Sequence, residues 1–218
     1  MSRMFDTWRF LVGPSAVALL SLAGCVCPPC PEAPGAVKPG GKLIVYDGDE
    51  NGTNAKGWQN CDKKQKPDCV ATLEGGQEGR NKTKGLKFHG DGPGWIGFGW
   101  HLFGWYPPDA SYDVSGYKSF VLWMKVEAKT PDLAPELGSL TIGLTCLGDK
   151  CDGKVWELKK YVKGNLLDGQ WHELVLPMAD AKRVGFDPGK VVQVKFGSWA
   201  GVPKDFSVYM DDMSFENR

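Results

Sequence analysis

The sequence predicts an all-β fold over residues 42–218, made of two packed antiparallel sheets in a β-sandwich. Three observations lead to this prediction. Apolar and polar residues alternate with a period of two along many short segments, as in strands that bury one face. Clusters of Gly, Pro, Asn and Asp, such as DGDENG and HGDGPG, separate these segments and are typical of turns. No segment longer than two turns keeps a helical apolar period, except for a short turn near 180–184.

The clearest predicted strand is SFVLWMKVEA at 119–128, in which every second residue is apolar. These apolar positions are Phe120, Leu122, Met124 and Val126. The opposite face is mixed, so the strand is expected to be half-buried. The other segments with this pattern are KLIVY (42–46), CVATLE (69–74), GLKFHG (85–90), SLTIGLTC (139–146), VWELKKYV (155–162), WHELVLP (171–177), VVQVKFGSW (191–199) and FSVYMDDMSF (206–215).

The aromatic segment GWIGFGWHLFGWY, at 94–106, predicts a further strand at 95–103. Its even positions are all large and apolar: Ile96, Phe98, Trp100 and Leu102. Burying each of these side chains contributes about 1.5 to 3 kcal/mol, so exposing the whole row to solvent would be costly. We therefore expect the even positions to face the core between the two sheets.

The odd positions of this strand predict a recognition surface. Gly97 and Gly99 leave a shallow trough, and glycine inside a strand often marks a close approach by another backbone or a ligand. A sugar ring needs an apolar platform for its C–H face and polar groups for its hydroxyls. The candidate ligand-binding residues, each of which could instead cover the core or an end of the sandwich, are Trp95, His101, Trp105, Tyr106, Trp58 and Trp199.

Residues 1–24 have the layout of a secretory signal, with Arg3 and Arg9 before a largely apolar stretch. We expect this segment to be removed and the rest of the chain to be exported. The end of the signal, LAGC at 22–25, resembles the lipobox of bacterial lipoproteins. The resemblance implies that Cys25 carries acyl chains that anchor the protein in the cell envelope, at the outer membrane or cell surface. The alternative is an ordinary signal with a chance cysteine.

Residues 25–41 are predicted to be a lipidated cysteine followed by a tether. The sequence VCPPCPEAPGAVKPGG is rich in proline, which favours an extended polyproline II conformation and a semi-rigid spacer. Cys27 and Cys30 lie within this tether, and in an oxidising compartment such a pair is usually a disulfide.

Four cysteines remain for the sandwich, and two local disulfides are their simplest pairing. Cys61 and Cys69 flank the polar loop CDKKQKPDC, and Cys146 and Cys151 close the segment CLGDKC. Each disulfide is expected to restrict the conformation of the loop that it closes. Other pairings of the four cysteines remain open, as does a metal site, although neither pair has the two-residue spacing of a zinc knuckle.

The last predicted strand contains a break in its alternation. The apolar residues of FSVYMDDMSF lie at even positions before Asp211 and at odd positions after Asp212. A slip of one residue in a strand that must keep one face in the core predicts a β-bulge at these two residues. A bulge redirects side chains, and here the redirected side chain is a carboxylate.

Three segments carry a resemblance to a known family. They are YDVSGYKSFVLWMKV (112–126), GQWHELVLPM (169–178) and FSVYMDDMSFE (206–216). In this order and spacing they resemble the galactose-binding-like jelly rolls of many bacterial carbohydrate-binding modules, over nearly all of residues 42–218. The resemblance implies a jelly roll with a face that binds glycans and, frequently, one structural calcium ion. It implies that Asp211 is a calcium ligand, and the acidic turn near the start of the domain offers Asp47, Asp49 and Glu50.

Charge and motifs narrow the function classes. The chain has 26 basic and 26 acidic residues, and its lysines are scattered, so nothing in it predicts a nucleic-acid partner. It contains no G-x-S-x-G, H-E-x-x-H or phosphate-binding loop, and no catalytic residue is predicted. The sequence therefore favours a membrane-anchored lipoprotein with a non-catalytic sandwich that binds a polysaccharide. The alternatives are an envelope scaffold or adhesion lipoprotein that binds another protein and, third, an uncharacterised glycan hydrolase.

Overall fold

The computed structural model describes residues 41–47, 56–64, 67–92, 94–102, 111–128, 140–147, 152–181, 186–198 and 202–218. Within these ranges the chain forms eleven β-strands and four short 3-10 helices, and none of the helices has the length or apolar character needed to cross a membrane. The strands are β1 (Leu43–Tyr46), β2 (Lys56–Cys61), β3 (Val70–Glu78), β4 (Lys84–Gly92), β5 (Ile96–His101), β6 (Ser119–Glu127), β7 (Leu140–Cys146), β8 (Asp152–Glu157), β9 (His172–Pro177), β10 (Val191–Ser198) and β11 (Val202–Glu216).

The described strands form two antiparallel sheets, which confirms the predicted β-sandwich. One sheet has the order β3-β4-β11-β6-β9, with β1 also paired to β11, and the other has the order β2-β5-β10-β7-β8. From β4 onward the chain crosses to the other sheet at every step except the β7–β8 hairpin. The resulting orders β4-β11-β6-β9 and β5-β10-β7-β8 are those of a jelly roll. β3 and β2 extend the two sheets at the same edge.

The core between the sheets contains the side chains that the alternation predicted. Phe98 of β5 and Phe120 of β6 are 1 % and 0 % exposed. The ring of Phe98 stacks on Phe88 from the six-stranded sheet, with centroids 4.1 Å apart, and on Phe196 from its own sheet, with centroids 4.7 Å apart. This aromatic stack joins the two layers at the centre of the sandwich.

The predicted bulge in the last strand is confirmed. The register between β11 and β6 shifts between Asp211 and Ser214, and Asp212 has a φ of 50°. Beyond the bulge, β1 replaces β4 as the neighbour of β11, with Tyr46 opposite Met213. The bulge therefore lets one long strand keep its apolar side chains in the core along its whole length.

Two predictions about strands need correction. β2 was not predicted as a strand, because its inward positions are Gly57, Gln59 and Cys61 and therefore lack the large apolar residues that mark a half-buried strand. The predicted strand at 155–162 is wrong after Glu157, because the chain turns into a 3-10 helix at Leu158–Lys160. Leu158 is buried, and its carbonyl accepts a hydrogen bond from the N–H of Tyr161.

The local pairing of Cys61 with Cys69 is confirmed, with a distance of 6.4 Å between their Cα atoms. Cys146 is also disulfide-bonded. Its predicted partner, Cys151, lies outside the described residues, as do Cys25 and the tether.

Candidate functional site

The outer face of the five-stranded sheet has a floor made of glycine. Ile96, Phe98 and Trp100 of β5 point into the core, so Gly97 and Gly99 face outward. In the neighbouring strand β10, Gly197 lies directly opposite Gly97. We refer to Gly97, Gly99 and Gly197 as the glycine floor. Three positions without side chains on two adjacent strands leave room for a large ring to lie against the backbone.

The indole ring of Trp95 occupies one half of this floor. A Cβ atom built on Gly97 would lie 2.8 Å from Cζ2 of Trp95, closer than real Cβ contacts allow. A Cβ built on Gly197 would lie 3.7 Å from Nε1 of the same ring, which is an ordinary contact. Trp95 is half-buried, so part of the ring remains open to solvent.

The indole ring of Trp58 occupies the other half. Trp58 lies in β2 directly opposite Gly99, and a Cβ built on Gly99 would be 3.1 Å from Nε1 of Trp58. No strand was predicted around Trp58, whereas the structure places it in an edge strand. Pairing between β2 and β5 is therefore what brings this residue to the floor.

The two rings form a single surface, which we call the tryptophan pair, Trp58 and Trp95. Their planes differ by 13° and their centroids are 6.4 Å apart. Because Trp95 lies over Gly97 and Trp58 lies over Gly99, the rings cover successive outward positions of β5, with their planes nearly parallel. The trough that the sequence predicted is therefore filled by two indoles instead of being an open furrow.

Polar side chains lie on the same outward face as the tryptophan pair. Alternation and register place Asn60, Gln193, Lys195, Thr141 and Thr145 on the outward side of their strands. Together with the rings they form a surface that offers both stacking and hydrogen bonding.

His101 shares the outward face of β5 but lies far from Trp95. The two residues are six positions apart along an extended chain, which corresponds to about 20 Å between their Cα atoms. Burial lowers the pKa of the His101 imidazole below its usual value, so the ring is neutral at neutral pH. The other predicted ligand-binding residues, Trp105, Tyr106 and Trp199, lie outside the described residues.

Asp211, the predicted calcium ligand, is 1 % exposed and lies at the bulge. Its Oδ2 accepts hydrogen bonds from the N–H of Arg80 at 2.9 Å and the hydroxyl of Thr83 at 2.7 Å, and its Oδ1 accepts one from the N–H of Asp212 at 2.8 Å. Burial raises the pKa of this carboxyl above its usual value, and the hydrogen bonds from Thr83, Arg80 and Asp212 oppose that shift. The sequence did not indicate Arg80 or Thr83 as its partners.

The surroundings of Asp211 are those of a hydrogen-bonded carboxylate. The guanidinium of Arg80 pairs with Asp212 at 2.6 Å and lies 4.1 Å above the ring of Trp123, so a cation of the protein already sits beside the bulge. Among the described residues no three His, Cys, Asp or Glu side chains lie together as metal ligands. Calcium prefers six to eight oxygen ligands, and backbone carbonyls can be among them. Asp47 follows Tyr46, which lies opposite Met213 beside the bulge. Asp49 and Glu50 lie outside the described residues. Calcium binding at this position stays a prediction.

Two other histidines make contacts away from the tryptophan pair. Nδ1 of His89 lies 3.2 Å from Oγ of Ser207 on the six-stranded sheet, and Nε2 of His172 lies 2.8 Å from Oδ1 of Asp168. Neither of these two contacts joins a serine, a histidine and a carboxylate in one chain.

Comparisons with known proteins agree with the fold. No family model matches the chain, and no curated protein sequence matches it. Among solved structures, the family 30 carbohydrate-binding module of a cellulosomal cellulase of Clostridium thermocellum is similar with a TM-score of 0.58 and 17 % identity, over 81 % of this chain and 98 % of that one. A second structure of a family 30 carbohydrate-binding module has the same TM-score and identity over 81 % of this chain and 88 % of that one.

One similar structure is an enzyme, the β-1,2-glucanase of Parabacteroides distasonis. It has a TM-score of 0.54 and 12 % identity, over 81 % of this chain and 25 % of the glucanase. The sandwich therefore corresponds to a quarter of that larger protein. At these identities the comparisons show a shared fold, a β-sandwich like that of carbohydrate-binding modules.

Proposed function

We propose that this protein is a membrane-anchored, extracytoplasmic lipoprotein whose sandwich binds a polysaccharide without catalysis. The observation that carries the proposal is the tryptophan pair, two neighbouring indoles with nearly parallel planes on a glycine floor at the outer face of one sheet. Their common surface suits the C–H faces of neighbouring sugar rings. Asn60 and Lys195, which lie opposite Gly97 and Gly99 on the same face, would hydrogen-bond to sugar hydroxyls.

The stability of the fold does not explain this arrangement. Nε1 of Trp58 is buried and has no hydrogen-bond partner among the described residues. A buried donor without a partner costs about 1 to 3 kcal/mol. The neighbouring half-buried ring of Trp95 also leaves apolar surface in contact with water. A role in binding accounts for this exposed apolar surface, because a ligand that stacks on the rings would cover it.

The structural neighbours support the same proposal. Two of them, each with a TM-score of 0.58, are described as carbohydrate-binding modules, and they match this chain over 98 % and 88 % of their own length. A binding role for the sandwich also agrees with the partial match to the glucanase, in which the corresponding region is a small part of the enzyme.

Replacing either member of the tryptophan pair is expected to remove most of the binding. A glycan array first identifies the sugar, and retention on an insoluble polysaccharide that contains it then compares the variants. Trp58→Ala and Trp95→Ala should each weaken retention by about 10-fold or more, because a central aromatic contact typically carries at least 2 kcal/mol.

Trp171→Ala is the matched control, because this half-buried tryptophan precedes β9 of the other sheet and packs near Lys125 at 5.9 Å. It should leave retention unchanged. Equal retention of both site variants and the wild type would refute the site. If the array detects no saturable sugar signal, while a pull-down from envelope extract recovers a partner protein, the scaffold function replaces the proposal.

The membrane anchor rests on the lipobox-like segment at 22–25. Two or more acyl chains on Cys25 would give a lasting anchor, because each buried methylene contributes about 0.8 kcal/mol. Cells grown with labelled palmitate should incorporate label into the wild-type protein, and Cys25→Ala should abolish it. An unlabelled wild type, or undiminished label on the variant, would exclude lipidation.

A further inference from the structure

We infer that the Cys61–Cys69 disulfide is a positioning element of the tryptophan pair, because it holds the edge strand β2 in place of a hydrophobic anchor. The binding part of this inference rests on the proposed glycan site. The structural part does not, since it concerns only how β2 is attached to β5.

β2 buries almost no side-chain surface in the core. Among the described strands it pairs with β5 alone, at the edge of the sheet, and its inward positions are Gly57, Gln59 and Cys61, opposite Trp100, Phe98 and Ile96. Gly57 and Gln59 are exposed, and Cys61 is the only buried residue among the described side chains of this strand. The burial of large apolar side chains that attaches most strands to a sandwich is therefore missing here.

The disulfide supplies the missing attachment. Cys61 ends β2 in the five-stranded sheet, and Cys69 immediately precedes β3 in the six-stranded sheet. Both cysteines are buried, at 8 % and 7 % exposure, so the bridge joins the two layers at their shared edge. A covalent link at the last residue of β2 keeps the strand next to β5 even though its inward side chains contribute little.

Both tryptophans depend on that attachment. Trp58 is itself a residue of β2, and its ring reaches the glycine floor only while β2 pairs with β5. Trp95 is held from the same side, because the N–H of Asp62, the residue after Cys61, donates a hydrogen bond to the carbonyl of Trp95 at 2.8 Å. If β2 separated from β5, Trp58 would leave the floor and Trp95 would lose this hydrogen bond.

As a consequence, β2 can separate from β5 and disrupt the tryptophan pair while the rest of the sandwich remains folded. The remaining strands of the five-stranded sheet, β5, β10, β7 and β8, keep their buried rows without β2. Loss of the bridge should therefore produce local opening at one edge. The affinity for glycan would fall in proportion to the population that keeps β2 paired.

The test uses the variant Cys61→Ala/Cys69→Ala in the full chain. Amide hydrogen exchange should become about 10-fold faster or more in β2 and in its partners on β5, while β7 and β6 keep their protection. In ¹H–¹⁵N spectra the largest shifts should fall on the indole N–H groups of Trp58 and Trp95 and on Gly97 and Gly99. Affinity for the glycan identified on the array should fall by about 10-fold or more.

Replacing Cys146 and its predicted partner, Cys151, by alanine is the matched control, since Cys146 ends β7 away from the tryptophan pair. That variant should keep both the indole resonances and the affinity. The inference is overturned if Cys61→Ala/Cys69→Ala keeps wild-type exchange in β2, because the bridge would then not hold this strand. It is also overturned if exchange rises uniformly or the variant unfolds, because the bridge would then stabilise the whole core. If wild type binds no glycan through its tryptophans, the proposed function fails, and the exchange measurement still decides the role of the disulfide.

Discussion

Replacement of Phe98 by alanine is expected to lower the free energy of unfolding by about 3 to 5 kcal/mol. The side chain is 1 % exposed and lies at the centre of the aromatic stack that joins the sheets. Its ring is parallel to that of Phe196 within 2° and meets the edge of Trp100 at an interplanar angle of 84°. Three neighbouring rings cannot all move into the space that one deleted ring would leave, so a cavity remains and adds to the lost burial.

Urea unfolding followed by circular dichroism measures this effect. Phe98→Leu is the control, because it keeps most of the apolar volume and should lose much less stability. Phe98 points away from the tryptophan pair, so Phe98→Ala should still bind glycan under conditions where it is folded. A loss of less than about 1 kcal/mol for Phe98→Ala would mean that the centre of the sandwich is not packed as described.

Replacement of Gly99 by alanine is expected to reduce both stability and binding. A Cβ at this position would lie 2.4 Å from the carbonyl oxygen of Val194 and 2.9 Å from Cα of Lys195. Both atoms belong to the backbone of β10, the hydrogen-bonded neighbour, so the two strands would have to move apart. Overpacking of this kind costs about 1 to 3 kcal/mol, and the contact at 3.1 Å with Trp58 would displace that ring as well.

Gly197→Ala is the matched control on the same floor. A Cβ there would lie 3.6 Å from the carbonyl oxygen of Ile96 and 3.7 Å from Nε1 of Trp95, which are ordinary contacts. Thermal melts and retention on the polysaccharide should therefore show a nearly unchanged Gly197→Ala protein and a weakened Gly99→Ala protein. Similar behaviour of the two variants would contradict the description of the floor.

The parts of the fold that the sequence predicted are those that depend on local periodicity. Phe98 and Trp100 were expected in the core because a row of large apolar residues at every second position has one favourable arrangement in a sandwich. The bulge at Asp211 was visible for the same reason, since a strand that shifts its apolar residues by one position must absorb the extra residue. Cys61 and Cys69 paired as their short separation suggested.

The parts that the sequence did not predict depend on contacts between distant segments. β2 has no apolar row, and it is a strand because β5 pairs with it and a disulfide holds it there. The partners of Asp211 come from a turn more than a hundred residues earlier in the chain, where Arg80 and Thr83 donate to its carboxylate. No periodicity within either segment indicates such contacts.

The candidate site combines both kinds of information. The sequence by itself determined that Gly97 and Gly99 face away from the core, because alternation along β5 allows no other assignment once Phe98 is buried. Only the tertiary structure decided what lies on that floor. The ring of Trp58 reaches the glycine floor from β2 and lies over Gly99, and the ring of Trp95 lies over Gly97. Strand register and the absence of Cβ atoms at these glycines bring the two indoles together. Local sequence sets the direction of a side chain, whereas pairing between strands sets its neighbours.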